Sequence, residues 1–206
     1  MKTIKTNRLV LAAAGILLVG TGIAFNAGAA LGNDPIGIVY DGIRNTAGFS
    51  PQQLGMASNF VNFVLAAVVF LMGRRYINIG TFIYILPYGA IVSLGTRIHS
   101  WLFRTQTLPM QILGAASGCL LLYTGVAMFI TADIGLDPFT GLVMVIRDRV
   151  GKNYRVVKVC FDACCIVLGF ALGGKLGVIT ILTAVSAGPM IQLFADQFAV
   201  RMKKWI

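Results

Sequence analysis

Six stretches of this chain are apolar over the length that a membrane demands. A spanning helix needs about 20 predominantly apolar residues to cross a hydrocarbon core ~30 Å thick. Such runs occupy Leu9–Leu31, Leu54–Met72, Ile77–Leu94, Met110–Ala132, Val156–Gly173 and Leu176–Phe194. At about 20 residues each they take up ~120 positions of a 206-residue chain, and the short connections leave no room for a soluble domain. Composition points the same way. Only 12% of the residues are charged, about half of the ~25% found in soluble domains, and a chain 57% hydrophobic is too apolar for disorder. The formal charge of +10 is spread singly or in small groups between the apolar runs. A nucleic-acid partner would instead need those cations gathered on one face or tail. The expectation is one all-α, polytopic membrane domain over residues 1–206, with the lipid bilayer as its main partner and no nucleic acid.

Lysine and arginine set the orientation of such a chain. With the N-terminus inside, the inner segments hold Lys2, Lys5, Arg8, Arg74, Arg75, Arg147, Arg149, Lys152, Arg155, Lys158, Arg201, Lys203 and Lys204, and the outer ones Arg44, Arg97, Arg104 and Lys175: 13 against 4. Both termini are therefore expected in the cytoplasm. The basic start followed by Ala27-Gly28-Ala29 imitates a signal peptide, but the same pattern recurs inside the chain, so the first run reads as a retained helix. Two shorter segments, Pro35–Ala47 and Pro138–Val150, would raise the count to eight spans and the tally to 14 against 3. Thirteen residues at 1.5 Å each reach only ~20 Å, so they read as re-entrant or interfacial short helices. The fold expectation is six transmembrane helices plus two short ones.

The chain also repeats itself. A shift of 103 places sets the segment from Leu11 over that from Gly114, and 12 of the 24 positions from Ala12 to Pro35 are identical. They include Gly15/Gly118, Thr21-Gly22/Thr124-Gly125, Gly32/Gly135 and Asp34-Pro35/Asp137-Pro138. The register continues through Arg44/Arg147 and Gly48/Gly151 to Asn59/Asp162. After a four-residue deletion it resumes at Thr81/Thr180, Gly89/Gly188 and Leu94/Leu193. Repeat 1 runs over residues 9–101 and repeat 2 over 110–200. Three spans per half would make the halves face opposite ways, the inverted arrangement common among transporters; four per half would make them parallel.

The paired motifs Gly32-Asn33-Asp34-Pro35 and Gly135-Leu136-Asp137-Pro138, each following a small-residue helix, resemble those of the YitT/YczE-type bacterial integral membrane proteins. Gly173-Gly174, Ile179-Thr180 and Ala187-Gly188-Pro189 are similar to that family's second half. Tyr88-Gly89-Ala90 lacks the proline found at Pro189, so this last motif is complete only once. The resemblance covers nearly the whole chain. It implies a bacterial cytoplasmic (inner) membrane location and transporter-like or accessory roles, without a substrate.

Few ionisable groups lie within the apolar sequence. Asp34 and Asp137 each precede a proline, and Asp as N-cap with Pro at the first helical position starts a helix. Interrupted segments at matching places in two halves also mark transporter binding sites, where a helix N-terminus meets an anion or the carboxylate takes a cation or proton. Both readings stand. Asp162 lies one to two turns inside its helix, either pairing with Lys158 or facing a cavity. Its mate Asn59 shares a polar face with Ser58 and Asn62, which helix–helix hydrogen bonds explain equally well. Asp34, Asp137, Asn59 and Asp162 are the candidate substrate-binding residues.

His99 sits beside Trp101 at a span end, where interfacial packing is expected. Cys119, Cys160, Cys164 and Cys165 lack zinc-ligand spacing and read as packing residues. No phosphate loop, nucleophile–base set or metal motif occurs, so no enzyme, metal or cofactor is expected. The functional expectation is a small-solute or ion transporter with its site at the repeat interface. The alternatives are a non-catalytic accessory or scaffold protein, and a substrate-capture subunit of an uptake complex. Small residues four apart, such as Gly28/Gly32 and Gly169/Gly173, would serve internal packing, a homodimer or a membrane partner.

Overall fold

Caps set where the helices begin. In a computed structural model of the protein, which describes residues 6–105 and 107–203, Asp34 caps a helix whose first residue is Pro35, its Oδ2 accepting from the Ile36 N–H at 3.2 Å. Asp137 does the same before Pro138, accepting from the Thr140 N–H at 3.0 Å. Asn78 and Asn153 cap two more starts. The described residues form helices and turns without a strand. The helices are α1 (Thr6–Ala29), α2 (Pro35–Thr46), α3 (Leu54–Gly73), α4 (Ile79–Leu102), α5 (Leu108–Ala132), α6 (Pro138–Val150), α7 (Tyr154–Ala171) and α8 (Val178–Lys203).

Five of them, α1, α3, α4, α5 and α8, are long and apolar enough to cross a membrane. The sixth apolar run becomes α7, which has 18 residues and carries Arg155, Lys158 and Asp162. These charges, not its ~27 Å length, set it apart from the other five. The short segments become α2 and α6, with 12 and 13 residues. The fourth helix is longer than its apolar run, continuing through Pro87 to Leu102. Lys2, Lys5 and Lys204, which entered the charge tally, lie outside the described residues.

The centre of the bundle is the α1–α5 pair. A Cβ on Gly15 would lie 2.8 Å from the Gly125 carbonyl oxygen, and one on Gly22 would lie 2.7 Å from that of Gly118. Lipid offers no hydrophobic drive for helices to associate, so such small-residue seams bring backbones close enough for dispersion to hold them. Residue numbers rise along one helix as they fall along the other, so the two helices are antiparallel.

Each linker after this pair docks on a distant helix start. The Ile179 N–H of α8 donates to the Leu31 carbonyl oxygen, and the Gly80 N–H of α4 donates to that of Ile134, both at 3.1 Å. Gly32 (φ +102°) and Gly135 (φ +152°) make the turns that permit this, in a region that side chains with a Cβ avoid. Around the central pair, α2 packs on α7, α6 on α3, α4 on α1, and α8 on α5.

His99, near the end of α4, is packed within the bundle rather than on its surface. Trp101 is exposed, whereas His99 is 3% exposed. It fills a slot between Gly28 of α1 and Gly114 of α5, with Phe25 edge-on at 5.3 Å and Phe103 stacked at 4.8 Å. The glycines leave room that an imidazole occupies.

Candidate functional site

Buried polar groups gather where α2, α3 and α4 meet. Asn33 folds back so that its Oδ1 accepts from the Asp34 N–H at 3.0 Å. Asp34 is 7% exposed; its Oδ2 is used in capping, while its Oδ1 is buried without a protein partner. From α3, Asn62 donates to the Tyr40 hydroxyl of α2 and to the Ser58 carbonyl, both at 2.9 Å, which leaves its own Oδ1 unpartnered. Tyr84 and Tyr88 of α4 stack at 4.8 Å, and Tyr40 and Phe139 complete an aromatic wall. The Asn33 and Asn26 amide nitrogens are likewise buried and unpartnered. Leaving a buried polar atom unpaired costs roughly 1–3 kcal/mol. Several in one region are therefore costly unless water or a solute satisfies them.

Charge approaches this cluster from α7. Lys158 and Asp162 form a half-buried ion pair one turn apart, and Asp34 feels the charge of both. Asp137, half-buried at the start of α6, lies within electrostatic range of Lys158 and of the Tyr40 and Tyr84 hydroxyls. Three of the four residues singled out by the repeat thus share one electrostatic neighbourhood. Asn59 is used elsewhere: its Oδ1 accepts from the Gly89 N–H at 2.8 Å, on the α3–α4 seam.

Sequence reasoning missed Asn26, Asn33, Tyr40, Tyr84 and Tyr88 and used Asn62 only as a neighbour. Repeat matching directs attention to residues present twice, and these are not. Tyr40, Asn62, Tyr84 and Tyr88 stand opposite Val143, Cys165, Thr183 and Ala187 in the second half. A tyrosine or asparagine within an apolar run, matched to an apolar or smaller residue, was the available signal.

A second buried pair anchors α2. Arg44 donates through Nε and Nη2 to Asp41 Oδ1 at 3.0 and 2.9 Å, and through Nη1 to the Phe49 carbonyl at 2.9 Å. The other Asp41 oxygen accepts from the Lys175 N–H at 3.0 Å, tying α2 to the α7–α8 linker. The large groove between α3 and α7, about 780 Å³, is lined by apolar residues such as Val61, Leu65, Cys164 and Leu168, and none of the candidate polar residues lines it.

The family described as a family of unknown function, DUF6198, matches residues 6–196. The chain belongs to this family. The DUF6198 protein is 23% identical over 185 residues to the uncharacterized membrane protein YczE of Bacillus subtilis, covering 89% of this chain and 83% of the relative. It is 28% identical over 198 residues to an uncharacterized protein of Haemophilus influenzae, covering 95% and 85%. Against the uncharacterized protein YyaS of Bacillus subtilis the identity is 22% over 186 residues, covering 87% and 88%. No solved structure matches. The five long apolar helices and the match to the membrane protein YczE together indicate an integral membrane protein of YczE type.

Proposed function

We propose that this DUF6198 protein is a small-solute or ion transporter of the bacterial cytoplasmic membrane. It has six spans, α7 being the sixth, and two inverted halves with α2 and α6 as re-entrant helices. Asp34, Asp137 and Asp162 line its site, joined by Asn62 and Tyr88, while Asn59 closes the seam beside it. The observation that carries the reading is the Asp34 carboxylate, buried at a helix start with one oxygen unpartnered and the Lys158–Asp162 pair within electrostatic range. Buried ionisable groups inside a membrane bundle are costly and mark solute or proton paths.

The inverted arrangement rests on paired geometry. The contacts Gly15–Gly125 and Gly22–Gly118 exchange with one another under the 103-residue shift. Ala30 and Asp133, Gly32 and Gly135, and Gly48 and Gly151 all take positive φ at matched positions. The linker bonds Ile179–Leu31 and Gly80–Ile134 exchange as well. Because α1 and α5 are antiparallel, the axis relating the halves lies across the bundle, in the membrane plane. With the charge tally, this reading puts the N- and C-termini in the cytoplasm.

The test is ligand screening by thermal stabilisation of purified protein, since a solute that binds the native state raises its midpoint by mass action. A stabilising solute is expected to lose its effect in Asp34→Asn, which still caps α2 but carries no charge. Stabilisation unchanged in Asp34→Asn with Asp137→Asn would refute the assignment of the site.

A second reading, a scaffold that binds a membrane partner, draws on α8. Its most apolar window is 17% buried, against 50% in α4. Co-purification of a stoichiometric partner from mild detergent, with no stabilising solute, would favour it.

A further inference from the structure

The two halves differ at one seam. In the first, α3 lies along α4, and the crossing is so close that a Cβ on Gly55 or Gly89 would run into the other's carbonyl oxygen. Asn59 fastens the seam through the Gly89 N–H, and Ser93 lies beside Gly55. The matched residues of the second half are Lys158 for Gly55, Asp162 for Asn59, Gly188 for Gly89 and Gln192 for Ser93. There α7 and α8 do not pack along each other. Among the described residues, and apart from its own helix turn, no atom lies within 4 Å of where a Gly188 Cβ would sit, and Gln192 is exposed. The α7–α8 hairpin is therefore open around the matched positions Lys158 and Gly188, and Lys158 lies toward the end where α7 begins.

We infer that the α3–α4 and α7–α8 seams are the two gates of an alternating device, present here with the first shut and the second open, and that closing one opens the other. Helices related by an inverted repeat expose opposite ends of the bundle, so a sealed seam in one half and a splayed seam in the other open the centre to one side only. Lys158 and Asp162 give the open seam a charged lining, which favours water over lipid in the gap. By the charge tally, the open end faces the cytoplasm. The proposed route leads inward past the Lys158–Asp162 ion pair to Asp34, the buried carboxylate at the start of α2. The inference rests on the transporter reading and names the route to its site.

Labelling with a membrane-impermeant maleimide, in a variant with all four cysteines replaced, reads each seam without any solute. In that background Gln192→Cys is expected to react from the cytoplasmic face, whereas Ser93→Cys is shielded. Gly89→Leu wedges the first seam, and Lys158→Gly with Asp162→Asn gives α7 the seam residues of α3. Both are expected to reverse the pattern, with Ser93→Cys gaining and Gln192→Cys losing at least about tenfold in rate. Because the two perturbations act on different helices, a variant that fails to elute as a single species leaves the other to decide.

If the reporters respond independently, with only the perturbed seam changing, the coupling is wrong. If Gln192→Cys reacts from neither face, the open water-filled gap is wrong. A reversal without any solute bound or moved would instead uphold the gates and overturn only the transporter reading.

Discussion

Gly22 of α1 and Gly118 of α5 meet backbone to backbone, with the space for a Gly22 Cβ already taken by the Gly118 carbonyl oxygen and the Leu122 N–H. Neither obstacle is a movable side chain. Gly22→Leu should therefore destabilise the protein by about 1–3 kcal/mol or more, the cost of overpacking. Gly188→Ala, in open space, should stay within roughly 0.5 kcal/mol of the parent. Thermal midpoints in one detergent compare the two, and equal losses would mean that the α1–α5 contact is looser than described.

Asp34 serves two purposes that substitutions can separate. Asp34→Ala removes the cap on Ile36 and should lower stability by about 1 kcal/mol. Asp34→Asn keeps an acceptor and should retain most of that stability while removing the charge. Unfolding curves of the two variants check this; equal stability losses would show that the charge, not the cap, supports the α2 start.

Breaking one side of the Asp41–Arg44 pair leaves the other charge buried and alone. Arg44→Met should cost about 3–5 kcal/mol, the usual result of orphaning a buried partner. The double variant Arg44→Met with Asp41→Leu should recover part of that loss, although Asp41 also accepts from the Lys175 backbone. Protease sensitivity of the α7–α8 linker gives an independent readout, because that bond holds the linker to α2.

Asp148, near the end of α6, is held by the Tyr76 hydroxyl first and then by the Arg147 and Arg75 guanidinium groups, which bring its carboxyl down to about 2 from the ordinary 3.8. A carboxyl with a depressed pKa stabilises the fold above its unfolded value and loses that effect as pH falls through the folded one. The difference in thermal midpoint between the parent and Asp148→Asn should therefore be constant above pH ~4 and shrink toward pH ~2. A difference that is flat through this range would mean that the cluster does not form in solution.

Some features of the fold were legible because they depend on a few neighbouring residues. Asp34-Pro35 and Asp137-Pro138 read as helix starts, and they cap α2 and α6. The run Ile77–Leu94 reads as one span through Pro87, and α4 does continue through it; its extension to Leu102 lies beyond that local reading. His99 reads as a packing residue at a span end, but the glycines that make its slot, Gly28 and Gly114, are 71 and 15 positions away.

The sequence by itself determined an all-helical membrane protein with Asp-Pro helix starts, because span length and capping are local properties. Only the tertiary structure decided that Asp34 keeps an unpartnered oxygen and lies within electrostatic range of Lys158 and Asp162. The same holds for Tyr40, Tyr88 and Asn62 meeting in one core, and for a seam sealed at Gly89 but open at Gly188. Each of these depends on which helix faces meet, and in a bilayer that is set by the fit of small residues across the whole bundle rather than by apolarity, which every span shares.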